Sequence, residues 1–274
     1  MHNESPKDSF QVIRGHIPLI ISIPHAGECI PESVASDLNA VALQRDDTDW
    51  HLGRLYAFAK QLGASVIQAR YSRYVIDLNR PADNRSLYPG QATTGLYPKQ
   101  TFDGQPLYQE GAVLTEAEKQ YRLQNYWHPY HAELEKLIQQ VRAQHGFVLL
   151  WDAHSIRSHI PRLFEGRLPD FNIGTYSDQS AHPGIANQLA EYINSNTSYI
   201  AVANQRFKGG YITRHYGDPA RNVHGVQLEL AQRTYMQEET PYPYDAIKAE
   251  QVAVVIKQLI TQTLMTLQQI YQKE

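Results

Sequence analysis

His25 and His154 each follow an apolar run, and each has acidic residues close by. Pro18–Pro24 (PLIISIP) leads into His25-Ala26-Gly27-Glu28, and Phe147–Trp151 (FVLLW) leads into Asp152-Ala153-His154-Ser155. Imidazole is the commonest metal ligand at neutral pH. A catalytic zinc takes three protein ligands and keeps one position open. The two histidines supply two nitrogens, so a carboxylate must supply the third. Glu28 offers an H-x-x-E spacing in the turn after the first run. Asp49, in the acidic stretch Asp46–His51, competes from the start of a helix. Asp152, two residues before His154, faces the same way on a strand and is placed to orient the imidazole. The chain has twelve histidines, most of which must be surface or packed residues, so the pairing at run ends carries the argument. Its one cysteine, Cys29, excludes an internal disulfide and a thiolate-rich zinc site, so a metal must use His and carboxylates.

A second constellation lies in Ser72-Arg73-Tyr74-Val75-Ile76-Asp77-Leu78-Asn79-Arg80. The segment reads as a strand over Tyr74–Leu78, with Arg73 before it and Asn79-Arg80 at its end. A half-buried arginine needs an anionic partner, and its planar guanidinium grips a carboxylate through two parallel N–H groups. That partner is internal, Asp77 or Asp83, or belongs to a ligand. Farther on, Val226, Leu228 and Leu230 alternate with Gln227 and Glu229. One face of that strand is then apolar and the other presents a carboxylate, to a site or to solvent.

These side chains need a frame. Besides the two runs, strands are expected at Ser65–Ala69, Phe171–Thr175, Tyr199–Ala203 and Gly225–Leu230. Helical periodicity covers Trp50–Gln61, Glu116–Gln144, Ile185–Ile193 and Ala246–Tyr271. Thr115-Glu116-Ala117-Glu118 reads as a capping box, and Gly146 marks the end of the long helix. Trp127-His128-Pro129-Tyr130-His131 reads as a packed helix distorted by its proline, rather than as a ligand cluster. Alternating strands and helices predict an α/β fold in three α/β/α layers, with a mixed, largely parallel central sheet. In such sheets ligands sit outside the carboxyl ends of the strands, where both histidines are expected. Nothing in the 274 residues reads as a linker, so one domain over 1–274 is expected. The irregular stretch Arg80–Gly111 is long enough to suggest a loop that closes a site. A formal charge of -3 gives no basic field for nucleic acid or a membrane surface. No apolar stretch is long enough to span a bilayer, and the polar first residues are not a signal peptide, so a cytoplasmic protein is expected. A small-molecule substrate is expected, and no obligate protein partner is evident.

R-Y-x-x-D-L-N-R, with H-x-G-E before it and D-x-H-S after it, is similar to the pattern of zinc carboxypeptidases and aspartoacylases. More closely, the chain resembles the N-formylglutamate amidohydrolases. The matching stretches are SIPHAG (22–27), DTDWHLGRLYAFA (47–59), RYSRYVIDLNRP (70–81), GLYPKQTFDGQPLY (95–108), DAHSIRS (152–158), GGYITRHYG (209–217) and HGVQLELAQRTYM (224–236). The block around Thr101-Phe102-Asp103-Gly104 is more particular to these enzymes than the metal residues are. The resemblance implies a phosphorylase/hydrolase-like fold, one divalent metal (Zn2+), and hydrolysis of N-formyl-L-glutamate to formate and L-glutamate at the end of a histidine degradation route. It implies that His25 and His154 bind the metal. Asp49 matches an aspartate of related amidohydrolases, whereas carboxypeptidase spacing favours Glu28. It also implies that Asn79 and Arg80 bind a substrate carboxylate, that Arg73 polarises the scissile carbonyl, and that Glu229 is the general acid/base. The substrate has two carboxylates, and Arg214 in Gly209–Arg214 is the candidate for the second. Two other readings fit the same residues: a zinc amidohydrolase acting on another N-acyl amino acid, and a non-catalytic binder of acidic amino acids.

Overall fold

The computed structural model describes residues 9–87, 90 and 93–272. Among them, seven strands form one sheet. They are β1 (Phe10–Ile13), β2 (Leu19–Ile23), β3 (Ser65–Ala69), β4 (Val148–Ile156), β5 (Phe171–Gly174), β6 (Ala201–Ala203) and β7 (Val223–Ala231), in the order β1-β3-β2-β4-β7-β5-β6. β3, β2, β4 and β7 run parallel at the centre. β1 lies antiparallel to β3, β5 lies antiparallel to β7, and β6 follows β5 in parallel. The sheet is thus mixed with a parallel middle, and helices cover both faces, as the α/β expectation requires.

One apolar layer packs Leu19, Ile21, Trp151, Val226 and Leu228 against the helices Ile185–Asn196 and Ala246–Tyr271. The other packs Ile20, Val148 and Leu150 against Tyr130, Leu134 and Leu137 of the helix His128–His145. Each buried aliphatic side chain contributes on the order of 1.5–3 kcal/mol, so the two layers dominate the stability. Along this second face the strands change character. On β4, Val148 and Leu150 give way to Asp152 and His154; on β7, Val223 and Gly225 give way to Gln227 and Glu229. All of these are buried. The functional face is therefore a continuation of the core face, not an exposed one.

The sequence-derived elements are corrected in three places. Tyr74–Leu78 is not a strand but a run of buried turns. Its polar groups find partners outside any ladder: Tyr74 N–H donates to Ser72 Oγ (3.2 Å), Asp77 N–H to Leu96 O (2.8 Å), and Asn79 N–H to Asp77 Oδ1 (2.9 Å). β4 runs on to Ile156, so His154 stands inside a strand rather than after its end. The edge strand β1 gave no apolar signal, because its burial alternates between half-buried and exposed. Helix breaks also show. Trp50–Gln61 resolves into Leu52–Leu55, a 3-10 turn Tyr56–Phe58 and Ala59–Leu62. The long helix opens at Thr115, whose hydroxyl accepts the Glu118 N–H, and ends at Gly146 with φ of 82°. Ahead of Pro129, Leu123–Trp127 forms a π-helical turn, which accommodates the ring that would clash with an α-helical carbonyl.

His131, beyond that turn, is buried; its Nε2–H donates to Leu78 O (2.9 Å) and its Nδ1 lies 3.0 Å from the Tyr216 hydroxyl. Burial lowers its pKa from 6.5 to about 3. The unfolded chain takes up a proton below about 6.5 while the folded chain does not. The stability that His131 contributes is thus present above pH 6.5 and is lost as pH falls toward 3. His224, lowered to about 4 by burial, acts in the same sense. Asp47, raised to about 6 by burial, acts in the opposite sense. The urea midpoint is expected to fall between pH 6.5 and 4, and His131→Gln should flatten that fall. An unchanged slope in the variant would remove His131 as its source.

Candidate active site

Three segments converge where the second face turns polar. His25 comes from the turn after β2, Asp49 from the turn before the helix Leu52–Leu55, and His154 from β4. Their ligand atoms lie within 4.8 Å of one another, and all three residues are buried. Asp49 Oδ2 is 3.3 Å from His154 Nδ1 and 3.9 Å from His25 Nδ1. The same oxygen accepts the Ser155 N–H (3.0 Å), while the Asp49 N–H donates to His25 O (3.1 Å). Glu28 is exposed and outside this set, so the carboxylate that joins the two histidines is Asp49.

The far side of each ring is also held. His25 Nε2 meets Asp77 Oδ1 at 2.7 Å, and His154 Nε2 lies 3.2 Å from Asp152 Oδ1. This is the carboxylate–histidine arrangement that orients metal-binding imidazoles. Burial and Arg73 hold His25 below its ordinary pKa against the pull of Asp77 and Asp49. For His154, burial is outweighed by Asp152 and Asp49, which hold it well above. Asp49 Oδ1 is buried and accepts no hydrogen bond. The Asp49 carboxylate and the two imidazoles that face it form a three-residue donor set that fits one divalent cation.

Around this set lies a cleft lined by Arg73, Arg80, Phe102, Arg206, Gln227 and Glu229, among others. Arg73 Nη2 donates to Asp77 Oδ2 (2.8 Å), and its Nη1 lies 3.7 Å from Asp49 Oδ1. The Phe102 ring covers its guanidinium at 4.7 Å. Phe102 is fixed in turn by its N–H, which donates to the buried Asp47 Oδ2 (2.8 Å). Glu229 stands directly opposite His154 in the β4–β7 register. Burial raises its pKa to about 8, with His154 and Arg73 pulling it down and Asp49 and Asp152 pushing it up. Gln227 Nε2 donates to Glu229 Oε2 (3.3 Å). Glu229 thus faces the site, not solvent.

The remaining sequence-derived residues divide. Arg80 lines the cleft, with its guanidinium steadied by Thr94 O (2.8 Å), Thr94 Oγ1 (3.3 Å) and Asn79 O (2.9 Å). Asn79 is braced at both ends of its amide: Oδ1 accepts the Ile212 N–H (2.8 Å), and Nδ2 lies 3.0 Å from His154 Nε2. Arg214 does not line the cleft. It donates to Gly209 O (2.8 Å) and Leu87 O (2.9 Å), and its guanidinium sits 4.4 Å from the Tyr176 ring centroid. Cys29 is exposed, and His51 binds Tyr242 O through Nε2 (2.8 Å). Of the stretch Arg80–Gly111, Thr93, Thr94 and Phe102 reach the cleft, while 88, 89, 91 and 92 lie outside the described residues. Sequence reading missed Arg206 and the bracing by Gln227 and Asp47. Arg206 follows the end of β6, so the strand-end argument applied to the histidines was available for it too.

Fold and site together describe an α/β protein that gathers a candidate metal triad, a buried carboxyl of raised pKa and three arginines in one cleft. The chain belongs to the N-formylglutamate amidohydrolase family, whose sequence profile matches residues 17–236. It is 52% identical over 247 residues to an N-formylglutamate deformylase of Pseudomonas putida, covering 90% of this chain and 92% of that one. It is 51% identical over 251 residues to an N-formylglutamate deformylase of Pseudomonas aeruginosa, covering 92% and 94%. In fold it is similar to the crystal structure of an N-formylglutamate amidohydrolase from Ralstonia eutropha JMP134. The TM-score is 0.77 at 23% identity, covering 97% of this chain and 99% of that one.

Gly210 tests how tightly the site is built. Its N–H donates to Gln227 Oε1 (2.7 Å), and a Cβ there would run into the Asn79 amide. Asn79 has no room to yield without releasing Ile212 or His154. Gly210→Ala is therefore expected to lower kcat/KM by about tenfold or more, the scale of small misplacements in a catalytic site. Circular dichroism should be unchanged. Full activity in the variant would show that Asn79 is not held by this contact.

Proposed function

We propose that this cleft hydrolyses N-formyl-L-glutamate to formate and L-glutamate, with one Zn2+ held by His25, Asp49 and His154. The observation that carries the reading is the pairing of His154 with Glu229 across β4 and β7, which sets a raised carboxyl beside the three-ligand set. The names of the Pseudomonas relatives support the same substrate. When bound there, zinc supplies Lewis acidity and makes water a better nucleophile at neutral pH.

The chain's own groups do the rest. Glu229 accepts a proton from the attacking water at its carboxylate oxygen and returns it to the amine as the C–N bond breaks. Arg73 offers fixed positive charge to the oxyanion that develops on the formyl group, in a place where Phe102 and burial keep water away. Arg80 grips one substrate carboxylate. Asn79 acts as the brace between His154 and the Gly210–Ile212 turn. Asp77 and Asp152 hold the histidine rings. The activity belongs at the end of a histidine degradation route, and the lone exposed Cys29 suits a reducing cytoplasm.

Purified protein is expected to carry about one zinc, the count for a catalytic site. Chelation should abolish deformylation and added zinc restore it. Glu229→Gln should lower turnover by about 100-fold or more, the share of a general acid/base, with zinc content unchanged by mass spectrometry. Undiminished turnover in the folded variant, or full activity of the metal-free protein, would overturn this mechanism.

A further inference from the structure

A glutamyl ligand carries two carboxylates three carbons apart, more than one guanidinium can grip. We propose that Arg206 holds the side-chain carboxylate and thereby selects a glutamyl substrate over its uncharged counterparts. The proposal rests on reading the cleft as an N-formylglutamate site.

Three arginines reach the cleft: Arg73, Arg80 and Arg206. The charge of Arg73 is matched internally by Asp77 at 2.8 Å and Asp49 at 3.7 Å. Arg80 is the proximal one. It follows Asn79, which touches His154, and its charge is felt by Asp77 behind His25. It is therefore placed for the carboxylate nearest the scissile amide. Arg206 arrives on a separate segment, after β6, where it contacts Leu163 and Phe207. Those contacts set it on the side of the cleft that these two residues line. It is half-buried, so a ligand can reach it, and it is positioned. Its Nε–H donates to Leu163 O (2.9 Å), and its guanidinium lies 5.2 Å from the Phe207 ring centroid. Ile156, Leu163 and Phe207 line the cleft too and offer apolar surface to the methylenes between the two carboxylates. Arg214, the choice from sequence, lies outside this lining, so Arg206 takes over the role assigned to it.

The test compares N-formyl-L-glutamate with N-formyl-L-glutamine, together with the calorimetric affinities of the zinc-loaded protein for L-glutamate and L-glutamine. Arg206→Met keeps the apolar stem and removes the charge, and Arg206→Gln is the second uncharged variant should the first not fold. Wild type is expected to prefer the glutamate compounds. The variants should lose on the order of 100-fold on N-formyl-L-glutamate, the scale of a charge-assisted pair, mostly in KM. N-formyl-L-glutamine turnover should stay about the same, and Arg206→Lys should recover part of the loss. Equal losses on both substrates, or an undiminished preference in a folded variant, would overturn the proposal. The affinities separate it from the reaction itself. A protein that hydrolyses neither compound, yet loses its preference for L-glutamate with Arg206, would sink the deformylase reading and leave the anchor standing.

Discussion

A single buried carboxylate organises the site. Asp77 is fully buried and binds His25 Nε2 (2.7 Å), the Arg73 guanidinium (2.8 Å) and the Asn79 N–H (2.9 Å). Burial alone would favour its neutral form, but His25, Arg80 and Arg73 outweigh that and hold its pKa well below the usual carboxylate range. An ionised carboxylate at such depth is tolerated only when its oxygens are met by donors. The constraint works in both directions. Because Asp77 must be satisfied, the His25 imidazole of the candidate metal triad, the Arg73 guanidinium that lines the cleft and the backbone ahead of Arg80 are held in one geometry. Preorganisation of this kind lets fixed charges act without reorganising during the reaction.

The sheet supplies the second half of that geometry. Parallel pairing of β4 with β7 puts His154 opposite Glu229 and Asp152 opposite Gln227, so an acid, a ring and their supports share one face. Rigid strands position such groups more closely than loops do. The loops then close in from above: Asp47 ties down Phe102, and Arg157 ties Asp103 to the same corner at 2.6 Å. The turn Thr101–Gly104 is thereby part of the wall rather than a free surface segment.

Much of this was legible because the relevant signals are local. Apolar runs placed β2, β3, β4 and β7 to within a few residues, and with them His25, His154 and Glu229. The helix Ala246–Tyr271 was legible to the residue, because Asp245 caps it and its apolar period is unbroken. The Arg73–Arg80 segment was misread because Tyr74-Val75-Ile76 is a run of β-prone apolar residues. Its hydrogen bonds go instead to Ser72, Leu96 and its own Asp77, partners that no local pattern announces. The choice between Asp49 and Glu28 likewise depended on which turn folds inward, a tertiary fact. Arg206 was passed over although a strand was expected at Tyr199–Ala203, because its neighbours Asn204, Gln205 and Phe207 carry no acidic or imidazole group to mark a site.

The order of the strands also bears on how the folded chain behaves among its own copies. A sheet edge exposes unpaired amide and carbonyl groups that can template pairing with another molecule. Among the described residues the two borders are β1, four residues long, and β6, three residues long, while the nine-residue strands β4 and β7 lie enclosed between neighbours. The long, apolar strands that would be the most adhesive are the ones no second chain can reach. The placement that encloses the His154–Glu229 register therefore also leaves only short strands at the described borders for edge-to-edge pairing.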